Sequence, residues 1–342
     1  MPLFVVAAFV CIAAASASST ASGPATPQTE LNSVRDRLAA HFATVQQHCH
    51  CASALQIRLE SELAHANDNA LDASAGSAQA GDALLATLED SMIDQLISGQ
   101  ARALSAVQGT GAVLLRSSFD KTLQPLSVFV PTAYSSKKSL PLVIMLHGAD
   151  QSENALMATP QLRRLADQSG ALLAIPWARG DDATTAAASA DVYDALDALE
   201  SNFPVDHRRV YLAGISLGAI ALFKIGPLQP QRWSGFLSIA GTMTNEDMAA
   251  VRNGMRGKPI FLVAGGNDTF VKPAFVRAAA SWMAANGIES RYYEQPSGED
   301  TFVSLDPTIE RAWQDMISGG RMNGAPAGAE IPTPNPLPSQ KN

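Results

Sequence analysis

Arg209-Val210-Tyr211-Leu212-Ala213-Gly214-Ile215-Ser216-Leu217-Gly218-Ala219-Ile220-Ala221-Leu222-Phe223 passes from a continuous apolar β-type run into a helix-compatible run through one serine flanked by glycines. Small residues two positions before and after the serine relieve crowding where a strand turns abruptly into a helix. Such a turn projects the Ser216 Oγ outward and aims the next backbone N–H, that of Leu217, at a developing oxyanion. A structural turn whose serine does no chemistry is the competing reading of the same residues.

Working outward, short β-rich runs recur at 112–117, 126–131, 141–146, 171–176, 210–215, 235–240, 259–264 and 290–295. Helix-compatible stretches at 155–169, 184–202, 217–225, 272–286 and 306–318 separate most of them. Runs such as Pro141-Leu142-Val143-Ile144-Met145-Leu146 and Pro259-Ile260-Phe261-Leu262-Val263 are apolar throughout, as in strands covered on both faces. The pattern predicts an α/β domain over 112–318, a mostly parallel eight-stranded sheet with flanking helices.

Before that domain, apolar residues at helical spacing over 30–64 and again from Leu84 to Ile97 predict two amphipathic helices in an accessory segment spanning 30–105. They would pack on the larger domain or offer a surface to a protein partner. The first 17 residues have the apolar core and small-residue exit of a secretory signal, with Ala15-Ser16-Ala17 as cleavage box, and 18–29 reads as a linker. The expectation is a periplasmic or secreted chain with no transmembrane domain once matured. The Gly/Pro/Ala-rich tail at 319–342 reads as flexible.

A formal net charge of -8 and scattered Lys and Arg argue against nucleic-acid binding, which needs a concentrated basic surface. Cys49 and Cys51, one residue apart on a predicted helix, suggest no disulfide scaffold. On one continuous helix His48-Cys49-His50-Cys51 radiate in different directions, so no metal site is expected. Ala264-Gly265-Gly266 lacks the spacing of a phosphate loop, and no cofactor is implied.

From Arg116 to Ile317 the chain resembles the α/β-hydrolase superfamily, specifically its prolyl-oligopeptidase-like and polyhydroxybutyrate-depolymerase-like esterase branch, which includes secreted carboxylesterases and feruloyl esterases. The resemblance rests on the Ser216 motif, on Val143-Ile144-Met145-Leu146-His147-Gly148, on Pro176-Trp177-Ala178-Arg179-Gly180, and on Gly265-Gly266-Asn267-Asp268. It implies Ser216 as nucleophile, Asp268 as triad acid, and the Leu217 and Ala149 amides as oxyanion donors. His147 and Gly148 would shape the oxyanion loop. The family's base commonly follows a Pro-x-Gly-x-His pattern, and Pro296-Ser297-Gly298-Glu299-Asp300 puts an aspartate there.

That replacement changes the chemistry. Imidazole accepts the serine proton near neutral pH and carries positive charge in the transition state, whereas a carboxylate titrates far lower and becomes neutral on protonation. Three readings stay open: a catalytically impaired pseudoenzyme that binds a ligand or partner, an active carboxylesterase with an atypical proton relay, and a hydrolase inactivated by deliberate replacement of its base. The ligand implied is a small acyl or aryl ester, or a polymer ester. A purely structural interaction protein is the remaining class.

Overall fold

A computed structural model describes residues 25–71, 76–299 and 302–319. The expected signal at 1–17, most of the linker, residues 320–342 of the tail and Asp300 lie outside the described residues. Eight strands form one sheet: β1 (Thr110–Arg116), β2 (Leu123–Phe129), β3 (Leu140–Leu146), β4 (Leu172–Pro176), β5 (Val205–Ile215), β6 (Gly235–Ile239), β7 (Ile260–Gly265) and β8 (Ser290–Gln295). Their order is β1-β2-β4-β3-β5-β6-β7-β8. The β1–β2 and β2–β4 pairs are antiparallel and the others parallel. The strands β2, β3, β4, β6 and β7 are buried at every position, the consequence of helices on both faces.

The predicted α/β fold is therefore observed. Helices α5 (Glu153–Ala158), α6 (Pro160–Ser169) and α11 (Phe302–Ile317) pack on one face. On the other lie α7 (Ala186–Asn202), α8 (Leu217–Ile225), α9 (Met248–Gly254) and α10 (Pro273–Ala285). The stretch expected as a single helix from 155 to 169 breaks at Thr159, because Pro160 disfavours helical backbone in the residue before it and opens α6 instead. Seven-residue α9 is too short for periodicity to reveal. No helix among the described residues is long and apolar enough to cross a membrane.

The N-terminal segment differs more from expectation. It forms four helices, α1 (Pro27–Ala40), α2 (Phe42–Cys49), α3 (Ala52–Leu71) and α4 (Gly76–Ser98). The break between α2 and α3 falls at His50, which adopts the left-handed conformation with φ 57°. The turn swings Cys51 back toward Cys49, and the two form a disulfide. The expectation of unpaired cysteines assumed a continuous helix and is corrected here. Leu31, Val34, Leu38, Val45, Leu55, Leu59, Leu88, Met92 and Leu96 are buried in the same cluster as sheet residues Val143 and Val263 and as Trp313 of α11. Each such leucine contributes about 1.5–3 kcal/mol of burial, so the apolar stripe is used in packing. Gln95 adds a polar tie, its Nε2 donating to the Ala112 carbonyl of β1 at 3.0 Å.

Candidate functional site

Ser216 sits between β5 and α8 with φ 51° and ψ -118°. That conformation resembles the first central position of a type II′ turn, where glycine is the relaxed residue and a side chain is strained. It persists because the surroundings over-determine it. The Ser216 N–H donates to the Ile239 carbonyl at 2.9 Å, and α8 begins at the next residue. The glycines are required by close backbone approach: a Cβ on Gly214 would lie 2.3 Å from the Gly218 carbonyl oxygen, and one on Gly218 would lie 2.3 Å from that of Leu146. Gly241 is equally confined, 2.9 Å from the Ser216 carbonyl oxygen by the same measure.

The β3 terminus meets this turn directly. A Cβ on Gly148 would stand 3.5 Å from Ser216 Cβ, so the His147-Gly148 segment and the serine are neighbours. The Gly148 N–H donates to Gln151 Oε1 at 3.2 Å. The Ala149 and Leu217 amides have no acceptor among the described residues.

His147 is buried, with Nδ1 2.8 Å from the Gly148 carbonyl oxygen and Nε2 2.9 Å from that of Trp177. Burial lowers its pKa, partly opposed by those two carbonyls. The ring stacks on Trp177 at 5.6 Å, and the Arg58 guanidinium of α3 lies 5.1 Å from the Trp177 ring centroid. The accessory helices thus reach the residues that brace the loop. Sequence reasoning assigned no role to Arg58 or Trp177; an arginine four residues before Glu62 reads as an ordinary surface pair.

Arg58 is instead buried against three carboxylates, those of Glu62, Glu89 and Glu153. Arg179, with φ 66°, forms a second anchor by pairing with Asp120 at 2.7 Å and with Asp191. Its hydrogen bonds hold the Asp120 carboxyl well below the usual carboxylate range. The pair binds the β1–β2 turn to the loop after β4.

Asp268 follows β7 and is buried; its Oδ1 accepts the Phe270 N–H at 2.9 Å and the Val271 N–H at 2.8 Å. The loop after β8 lies against the same turn, with the Asn267 N–H donating to the Gly298 carbonyl at 2.9 Å. A Cβ on Gly265 would stand 2.4 Å from the Glu299 carbonyl oxygen, which brings residue 299 beside the Asp268 turn. Asp300, the next residue, is outside the described set.

All six histidines are described, and none of their rings hydrogen-bonds Ser216. His48 Nδ1 is 2.6 Å from the Leu96 carbonyl oxygen, His65 Nδ1 is 2.8 Å from that of Ser61, and His207 faces Glu200 at 3.1 Å. No group of three or more His, Cys, Asp or Glu among the described residues is placed to hold a metal ion.

No family model matches the chain. It is 25% identical over 170 residues to the bifunctional acetylxylan esterase/xylanase XynS20E of Neocallimastix patriciarum, an alignment covering 47% of this chain and 23% of that protein. The chain thus corresponds to less than a quarter of that relative's length. Among solved structures, a ferulic acid esterase of Anaeromyces mucronatus superposes with a TM-score of 0.52 at 15% identity, over 63% of this chain and 93% of the other. An S-formylglutathione hydrolase of Staphylococcus aureus superposes with a TM-score of 0.51 at 14% identity, over 62% and 98%. The fold of this chain resembles that of the α/β-hydrolase esterases.

Proposed function

We propose that this chain is a serine-hydrolase homologue related to the secreted carboxylesterases, in which ordinary turnover is impaired because Asp300 stands where the base histidine belongs. Ser216 is the nucleophile position, Asp268 the acid position, and the Leu217 and Ala149 amides the oxyanion donors. Within the superfamily we place it in the prolyl-oligopeptidase-like and polyhydroxybutyrate-depolymerase-like branch. Its ligand is a small acyl or aryl ester, or a polymer ester, bound without efficient hydrolysis. The Cys49–Cys51 disulfide favours an oxidising compartment and hence the periplasm or the exterior.

One observation carries this reading: no imidazole hydrogen-bonds Ser216, and His147 beside the site has both ring nitrogens directed at backbone carbonyls. Attack by the Ser216 Oγ requires a group that takes its proton and returns it to the leaving alcohol, a role worth about 10²–10⁴ in rate. A carboxylate accepts that proton reluctantly, and protonation removes its charge instead of creating an imidazolium for Asp268 to stabilise.

Turnover through an atypical relay is the second reading, favoured by the strained Ser216 backbone and the two free amides. Labelling with an activated fluorophosphonate, followed by intact mass, separates the two. Slow labelling of the natural chain and at least 100-fold faster labelling of Asp300→His support the impaired site. Fast labelling of the natural chain that disappears in Ser216→Ala would overturn it.

A further inference from the structure

A cavity of about 1080 Å³ lies between α3 and α4 on one side and the loops following β3 and β4 on the other. We propose that this cavity is a specificity subsite built by the accessory helices, taking the medium-chain aliphatic or aryl group of a neutral ester whose carbonyl lies at Ser216. The assignment rests on the reading of Ser216 as the nucleophile position.

Placement is the first reason. Strands β4, β3 and β5 are parallel neighbours in that order, so the loops after β4 and β3 and the Ser216 turn after β5 emerge side by side at one edge of the sheet. The cavity lies over the first two. Ser216 is not on its wall, but Gln151 is, and Gln151 Oε1 accepts the Gly148 N–H at 3.2 Å. A Cβ on Gly148 would stand 3.5 Å from Ser216 Cβ and 3.7 Å from Gln151 Oε1. Gly148 thus touches both the serine and a residue of the wall.

Size and lining are the second reason. The cavity is far larger than an acetyl group needs and matches the pockets of about 300–1,000 Å³ that take larger organic ligands. Small residues keep it open: Ala54 on α3, Gly81 on α4, and Ala155 and Ala158 on α5. Ile57 of α3 borders the same space and is 74% exposed, whereas Leu55 and Leu59 on that helix are fully buried. An aliphatic or aryl group lying in the cavity would cover the isoleucine and gain its apolar contact.

Charge is the third reason, and it selects a neutral ligand. The wall's two guanidinium groups are held by carboxylates, Arg58 by Glu62, Glu89 and Glu153, and Arg179 by Asp120 and Asp191. Asp150, Asp181 and Asp182 stand exposed along the same wall. An anionic ligand would meet repulsion there and find no unpaired guanidinium.

Two arms test the assignment. In the first, the full chain is titrated calorimetrically with 2-nonanone, 2-pentanone and nonanoate, none of which can be hydrolysed. Each buried methylene contributes about fourfold in affinity, so 2-nonanone should bind one site at least about 50-fold more tightly than 2-pentanone. It should also bind at least tenfold more tightly than nonanoate, and equally well in Ser216→Ala. Ala54→Trp, at an exposed position, fills the cavity and should weaken 2-nonanone at least tenfold, while Gln56→Trp, exposed on α3 and not on the wall, should leave it unchanged. In the second arm, Asp300→His should favour p-nitrophenyl octanoate over the acetate in kcat/KM, and adding Ala54→Trp should lower that ratio at least tenfold. Absence of saturable 2-nonanone binding, binding indifferent to Ala54→Trp, or an octanoate-to-acetate ratio untouched by Ala54→Trp would overturn the subsite. Failure of Asp300→His to hydrolyse either ester would defeat the reading of Ser216, and with it the ester as ligand, while the ketone titration still decides whether the cavity binds an apolar group.

Discussion

Replacing Ser216 by glycine should stabilise the protein relative to replacing it by alanine, the reverse of the ordinary order. At φ 51° and ψ -118° any Cβ is strained, and alanine keeps that Cβ. Such strain costs about 1–3 kcal/mol. Glycine removes it but frees the unfolded chain, a loss of about 0.5–1 kcal/mol relative to alanine. The difference leaves Ser216→Gly more stable than Ser216→Ala by up to about 2.5 kcal/mol. With a urea m-value of about 3 kcal/mol/M, the unfolding midpoint should rise by up to about 0.8 M. The same pair of substitutions at Ser201, an exposed position near the end of α7, supplies the control and should favour alanine. If alanine is the more stable substituent at both positions, the serine backbone is not strained and the account of the turn fails.

Three further outcomes follow from the packing and the buried charges. Gly218→Ala would set a methyl group 2.3 Å from the Leu146 carbonyl oxygen and 2.6 Å from that of His147, so it should cost about 3 kcal/mol or more in urea unfolding. Arg58→Met removes the one guanidinium that Glu62, Glu89 and Glu153 share in the interior and should cost about 3–5 kcal/mol in urea unfolding at pH 7. Glu62 has its pKa raised in the fold from an ordinary 4.5 to about 8, first by burial and then by Glu89. Between those values the folded state binds more protons than the unfolded, so its contribution to stability is full below pH 4.5 and is lost as pH rises to about 8. Midpoints measured across that window should decline for the natural chain and decline less for Glu62→Gln.

The sheet was legible because buried parallel strands are apolar at every position, and runs such as Leu142–Leu146 and Ile260–Val263 are bounded by polar or glycine-rich loops. Periodicity was less informative for the accessory segment. A helical stripe continues through a kink when the pieces bury the same face, so the breaks at His41 and His50 left no trace in the spacing of Val34, Leu38, Val45 and Leu55. The Cys49–Cys51 disulfide depends on that hidden break. The position of Ser216 between strand and helix could be read from its flanking glycines, whereas its role could not. Arg58 was invisible because its partners Glu89 and Glu153 lie 31 and 95 residues away. Only the fold brings them together.

The central claim is that the scaffold around Ser216 lacks nothing but its base. Hydrolysis of p-nitrophenyl acetate and butyrate by the natural chain, Asp300→His and the Asp300→His/Ser216→Ala double variant tests it most directly. The account predicts background rates for the natural chain, at least a 100-fold gain for Asp300→His, and loss of that gain in the double variant. Ser216-dependent turnover by the natural chain at the rate of Asp300→His would contradict it.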